Sequence, residues 1–255
     1  CDSLATISVG LPAGTYRVVI NYRPQFDGSP DCYVNAANAD DVIIPAKALP
    51  DRTISFNIPD SVVVLGGFGG ITAGADSSNR NWECNKTILC GDIDMNGDTM
   101  GNSYHVVTTT NVSEATVVDG FCISGGNANG TTFPNERGGG WYNNGSGSGN
   151  SSNPTLTNLV ISGNSALNYG GGMYNRGENG STSPILTNVV ISGNTANSGG
   201  GLANNGKLGS NLPILTNVVI SGNKANIDGG GMRNVGSVSP IVTNSIFWNN
   251  DAPMD

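Results

Sequence analysis

The chain has 255 residues, with 38 Gly, 35 Asn and 12 Pro, and only 12% of it is charged. Globular domains usually carry about twice that charged share, which argues against a helical or α/β enzyme and against a coiled coil, and Gly does not recur every third residue as in collagen. A net charge of −8 leaves no basic footprint for nucleic acid, and no apolar run approaches the roughly 20 residues needed to span a bilayer.

The chain opens on Cys1, which reads as a mature or fragment N-terminus, with a lipidated Cys1 as a second reading. Thr15–Tyr22 and Thr53–Ile58 are strand-like, and between them lies a Pro-, Asp- and Ala-rich stretch. Residues 1–60 are therefore expected to form an N-terminal cap or an insertion-bearing region, because an open stack of strands needs its edge covered. Residues 61–255 read as one solenoid, irregular over 61–115 and regular over 116–250.

Five cysteines occur, with no CxxC pair, so a zinc cluster is not expected. Cys84 and Cys90 bracket a short loop that suits a disulfide, Cys1 and Cys32 suit a second one in the cap, and Cys122 reads as a buried free thiol. Asp92-Ile-Asp94-Met-Asn96-Gly-Asp98 places oxygen ligands at alternate positions with Gly at the sixth, the first half of a calcium loop. Ser103 stands where the twelfth-position Glu is required, so the alternatives are a structural Ca2+ and a solvated turn. His105 is the single histidine, in a strand-like context without a nucleophile motif, and reads as structural.

From here a repeat dominates. Pro154-Thr-Leu-Thr-Asn-Leu-Val-Ile-Ser-Gly-Asn164 returns with small changes at Pro184–Asn194 and Pro213–Asn223, and drifted at Pro240–Asn250, in steps of 30, 29 and 27 residues. A glycine block travels with it: Gly138-Gly-Gly-Trp-Tyr-Asn143, Gly170-Gly-Gly-Met-Tyr-Asn175, Gly199-Gly-Gly-Leu-Ala-Asn204 and Gly229-Gly-Gly-Met-Arg-Asn234. Both blocks are too short for helices and rich in strand formers, while the stretch from the glycine block to the next Pro varies in length. That pattern predicts an all-β, right-handed parallel β-helix with stacked turns about 4.8 Å apart. Equivalent asparagines should then form ladders, each amide donating to one neighbouring turn and accepting from the other. The expected rows are Asn158/Asn188/Asn217/Asn244, Asn164/Asn194/Asn223/Asn250 and Asn143/Asn175/Asn204/Asn234. The fourth copy lacks its glycine block; a continuing chain or a neighbouring molecule would cover it.

The Ile-Ser-Gly-Asn and Gly-Gly-Gly-Met-Tyr-Asn blocks resemble those of bacterial right-handed parallel β-helix surface proteins and, distantly, the repeats of polymorphic outer-membrane proteins. Val62–Gly70, Asn81-Trp-Glu, Thr87–Asp94 and Asn102–Val107 look like the first coils of the former group, and the resemblance covers roughly residues 53–250. It implies the fold and an adhesin-like or structural surface role rather than an activity.

Parallel β-helices also include pectin-degrading enzymes, whose site residues this chain matches poorly. Asn38-Ala-Asp40-Asp41 resembles part of a polygalacturonase site, but no His-Gly or Arg-x-Lys follows. Arg137, Arg176 and Arg233 lack a surrounding acidic cluster, and residues 138–227 hold a single acid, Glu178, where inverting hydrolysis needs a carboxylate pair. The expectation is a non-enzymatic extracellular or cell-surface protein; a carbohydrate-active enzyme and a glycan-binding module using Trp141, Tyr142, Tyr169 and Tyr174 are the alternatives. Asn-x-Ser/Thr acceptors occur at Asn85, Asn111, Asn129, Asn144, Asn150 and Asn179, and Ser3, Ser61 and Thr99 sit in Asp-Ser/Thr-apolar triplets that resemble bacterial O-glycosylation sites. With Leu159 and Ile161 facing the core, Val160, Val190, Val219 and Ile246 should face outward as an aliphatic stripe for self-association.

Overall fold

The computed structural model describes residues 14–17, 51–68, 80–93 and 97–253. They build a parallel β-solenoid of about five turns, and among them there is no helix. Each regular turn crosses four sheets. In one such turn Thr155–Thr157 lies in the first sheet, Val160–Ser162 in the second, Ser165–Ala166 in the third and Met173–Arg176 in the fourth. The Pro-to-Asn block therefore holds two strands rather than one, broken at Asn158, which takes the left-handed conformation (φ 52°). Asn188, Asn217 and Asn244 repeat this at φ 56°, 56° and 49°. Asn tolerates that region better than other non-glycine residues, so the row turns the chain between the first two sheets.

The sheets reach further toward the N-terminus than residue 61. Gly14–Arg17 pairs in parallel with Val62–Leu65 in the first sheet, and Phe56–Ile58 pairs with Val107–Thr110 in the fourth. Within the regular turns the pairing of the first two sheets is in register, as in Leu156↔Leu186↔Leu215 and Ile161↔Ile191↔Ile220. These residues are fully buried, with Leu159, Val189 and Val218 beside them and Met173 and Leu202 entering from the fourth sheet. Alternation within each short strand sends these side chains inward and their neighbours outward. At the last turn Val242 and Phe247 occupy the same columns and are each 43% exposed.

The three asparagine rows form, with different duties. In the interior row, Asn194 Nδ2 donates to Ile161 O (2.9 Å) and to Asn223 Oδ1 (3.0 Å), while its Oδ1 accepts from the Asn164 backbone N–H (3.0 Å) and Asn164 Nδ2 (3.1 Å). Every hydrogen-bonding capacity of that buried amide is used. The fourth-sheet row runs Asn143→Asn175→Asn204→Asn234 at 2.8–3.0 Å and is headed by Thr109, whose hydroxyl donates to Asn143 Oδ1 (3.0 Å) and accepts from Trp141 Nε1 (2.9 Å). The corner row is exposed and polarised the other way, Asn217→Asn188→Asn158 at 3.1 and 3.2 Å, ending on Asp119 at 2.8 Å.

The glycine triplet serves two needs. Gly170 has φ 66°, and a Cβ on Gly172 would lie 2.6 Å from the carbonyl oxygen of Gly201 in the next turn. Larger residues there would push adjacent turns apart.

Removing one interior amide should therefore cost more than removing a corner amide. Asn194→Ala orphans donors and acceptors on both neighbouring turns, and a loss of about 3 kcal/mol is expected, read by urea unfolding followed with circular dichroism. Asn188→Gly keeps the left-handed corner accessible and should cost less than about 1 kcal/mol.

Candidate functional site

Two surfaces stand out from the repeat. The first is the outer face of the first and second sheets. Each turn presents the same outward series there: Ile185, Thr187, Asn188, Val190 and Ser192 in one turn, then Ile214, Thr216, Asn217, Val219 and Ser221 in the next. Thr155 to Ser162 and Ile241 to Trp248 extend it on either side, so four turns carry no charged side chain on this face. Upstream it ends at Asp119, paired with Arg80 at 2.7 Å. Val160, Val190 and Val219 lie half-buried and register-paired, and Ile246 continues the column at 58% exposure. The outward orientation read from the sequence is the one in the structure.

The second surface is an aromatic–arginine cluster on the outer face of the fourth sheet. Tyr142 and Tyr174 are adjacent outward residues with ring centroids 5.9 Å apart, and Tyr169 stacks on Tyr174 at 6.2 Å. Arg137 lies over Tyr169 (5.1 Å) and Phe133 (5.0 Å), Arg176 over Phe133 (4.5 Å) and Arg233 over Tyr169 (5.1 Å). Arg137 and Asn205 both donate to the Tyr174 hydroxyl at 3.2 Å. Burial pushes the Tyr142 phenol up to about 12, against the pull of the nearby Arg176. These rings are covered, so they present no bare platform for a sugar. Trp141, expected with them, points inward and is fully buried.

Each arginine also has a carboxylate: Arg137–Glu136 at 3.0 Å, Arg176–Glu178 at 3.4 Å and Arg233–Asp228 at 2.8 Å. The cluster thus balances its own charge and ties successive turns together. His105 sits beneath it, its ring 5.0 Å from that of Tyr142 and its Nδ1 3.0 Å from the Gly138 carbonyl oxygen. Burial holds the imidazole below its ordinary 6.5, opposed by the Gly138 carbonyl and the charge of Glu136.

The remaining sequence candidates are dispersed. Asp92 Oδ2 accepts the Gly97 N–H at 3.2 Å while its Oδ1 is buried without a partner, and Asp98 Oδ1 accepts the Met100 N–H at 2.7 Å. Asp94 and Asn96 lie outside the described residues, as do Cys1, Cys32, Ser3 and Asn38–Asp41. No group of three or more His, Cys, Asp or Glu side chains converges as a metal site among the described residues.

The expected Cys84–Cys90 disulfide does not join the two residues in the structure, where Cys84 is exposed and Cys90 buried. Cys122 is half-buried rather than buried. Ser61 is half-buried at φ 59° with its hydroxyl directed to Asp60, and Thr99 is exposed. Comparison with protein-family models, curated proteins and solved structures gives no match.

The buried neutral His105 sets an acid sensitivity. Its folded-state pKa is lowered, so below 6.5 the unfolded chain binds the proton that the folded chain refuses. Stability should fall as the pH drops from 6.5 toward 5, before most carboxylates titrate. His105→Asn, which retains a donor for Gly138, should flatten that part of the melting-temperature profile.

Proposed function

We propose that this chain is a non-enzymatic extracellular β-solenoid with an adhesive or structural role, able to self-associate through the outer face of its second sheet. The observation that carries this reading is the charge-free face repeated over four turns, on a chain whose net charge is −8. Elsewhere two acidic copies repel each other; on this face they do not. Contiguous apolar surface commonly marks a contact, and burying roughly 200 Å² of it contributes about 5 kcal/mol before association costs. The likeness of the repeats to bacterial surface β-helices agrees with an exported protein whose partners are other copies of itself or surface glycans. The three candidate arginines are each engaged by a carboxylate and stacked on rings, which favours a structural over a catalytic use.

A structural Ca2+ at residues 92–98 belongs to the same reading, and the unpartnered Asp92 Oδ1 suits such a cation. Asp92, Asp94, Asn96 and Asp98 would supply its oxygen ligands. Chelation should lower the melting temperature of the parent while leaving the regular turns folded. Asp94→Ala should abolish that chelator effect; an unchanged effect removes calcium from the proposal.

The self-association reading is tested with Val190→Thr, Val219→Thr by light scattering and electron microscopy. The parent should assemble with rising concentration and the double variant should not. A parent that stays monomeric at high concentration, or a variant that assembles equally well, defeats it. Release of reducing or unsaturated ends from a panel of acidic polysaccharides would replace the structural reading with a catalytic one.

A further inference from the structure

The six Asn-x-Ser/Thr triplets are scattered in sequence but not in space. Four of them gather on the flank where the chain leaves the fourth sheet. Asn144 ends the strand Trp141–Asn144, and its carbonyl accepts the Asn111 N–H at 2.9 Å. Asn150 O accepts the Ser181 N–H at 3.0 Å, and the Asn179 N–H donates to Lys207 O at 3.0 Å. Successive turns thus stack their loops here, and sequence length varies here because nothing in the core depends on it.

Within this set the side chains differ in what already holds them. Asn144 Oδ1 accepts the N–H and hydroxyl of Ser146, at 3.3 and 2.7 Å. Asn150 Nδ2 donates to Ser146 O at 2.8 Å, and its triplet ends on the fully buried Ser152. Away from the flank, Asn129 Oδ1 takes Arg52 at 2.7 Å, and the triplet of Asn85 ends on the buried Thr87, whose hydroxyl accepts the Gly67 N–H. Asn111 is exposed, but Ser113 of its triplet gives its hydroxyl to Asp60 at 2.6 Å. In Asn179-Gly180-Ser181 no hydrogen bond engages either the asparagine amide or the serine hydroxyl among the described residues. Asn179 is exposed at φ 58°, on a loop tip followed by glycine.

We infer that Asn179 is the acceptor of an N-linked glycan. The donor class is an oligosaccharide carried on a lipid pyrophosphate, presented by a transferase of the export pathway. Asn179 Nδ2 attacks the anomeric carbon; the N–C bond forms as the C–O bond to pyrophosphate breaks. The lipid pyrophosphate leaves with the electron pair, and the amide proton passes to a base of the transferase. A free amide and a free hydroxyl two residues on are what this transfer needs, and this triplet alone offers both. The first sheet on one side, and the fourth and third sheets on the other, separate the flank from the second sheet. A glycan here therefore coats one side of the solenoid and leaves the charge-free second-sheet face open.

This inference rests on the extracellular part of the proposed function but not on self-association, so the two fail separately. The chain is secreted from a host with a lipid-linked N-glycosylation pathway, and its peptides are examined by mass spectrometry before and after N-glycosidase treatment. The expected result is a glycan on the Asn179 peptide, released with conversion of Asn179 to Asp. Ser181→Ala, which leaves the left-handed Asn179 in place, should lose it, and Asn150→Gln should keep it. An unmodified Asn179 peptide overturns the inference, whether other triplets are occupied or none is. Light scattering of the same secreted material reads the self-association proposal independently.

Discussion

The buried amide of Asn194 sets the terms for the rest of the molecule. It reaches one turn back to a backbone carbonyl and one turn forward to the next amide, while accepting two donors itself. Such an arrangement works only if every turn rises by the same step and carries the same residue at the same place. A side chain of different length would leave donors and acceptors orphaned in a dry interior, where each costs on the order of 1–3 kcal/mol. The in-register columns of Leu156, Leu186 and Leu215 and of Ile161, Ile191 and Ile220 follow from that equal step. So do the glycines where neighbouring backbones approach too closely for a Cβ.

A strictly repeated interior forces variation outward. Chain length varies on the loop flank after the fourth sheet and in the stretch before the glycine block, and charge varies mostly on the fourth sheet and its loops. There Arg137, Arg176 and Arg233 meet carboxylates of their own turns and cover the rings of Phe133, Tyr169 and Tyr174. That cluster is partly desolvated, which strengthens its ion pairs and cation–π contacts relative to fully exposed ones. The first and second sheets, by contrast, keep one neutral outward series from turn to turn. The solenoid thus has a charged, variable side and a neutral, periodic side, and the proposals for contact and for modification divide between them.

Much of this architecture was legible in the residues. The spacing of Pro154, Pro184 and Pro213 announced the turns, the identical asparagines announced the ladders, and the alternation of Leu159, Val160 and Ile161 announced which side chains face in. These features depend on local periodicity, and a solenoid converts periodicity along the chain directly into contacts between neighbouring turns.

Other features depended on what one turn places against another. Asn158 looked like one more rung within a strand; the structure makes it a left-handed corner, because two sheets must meet there. Trp141 and Tyr142 are adjacent in sequence, yet one is buried inside and the other lies on the outer face against Arg176 of the next turn. Spacing alone allowed a Cys84–Cys90 bridge, which does not join the two residues in the structure, where Cys84 is exposed and Cys90 buried. The sequence by itself determined the repeat, the inward and outward faces and the rows of asparagine, since all follow from period and alternation. Only the tertiary structure decided which rings are covered, which amides stay free and where the chain turns, because each depends on residues from different turns competing for the same space and the same hydrogen bonds.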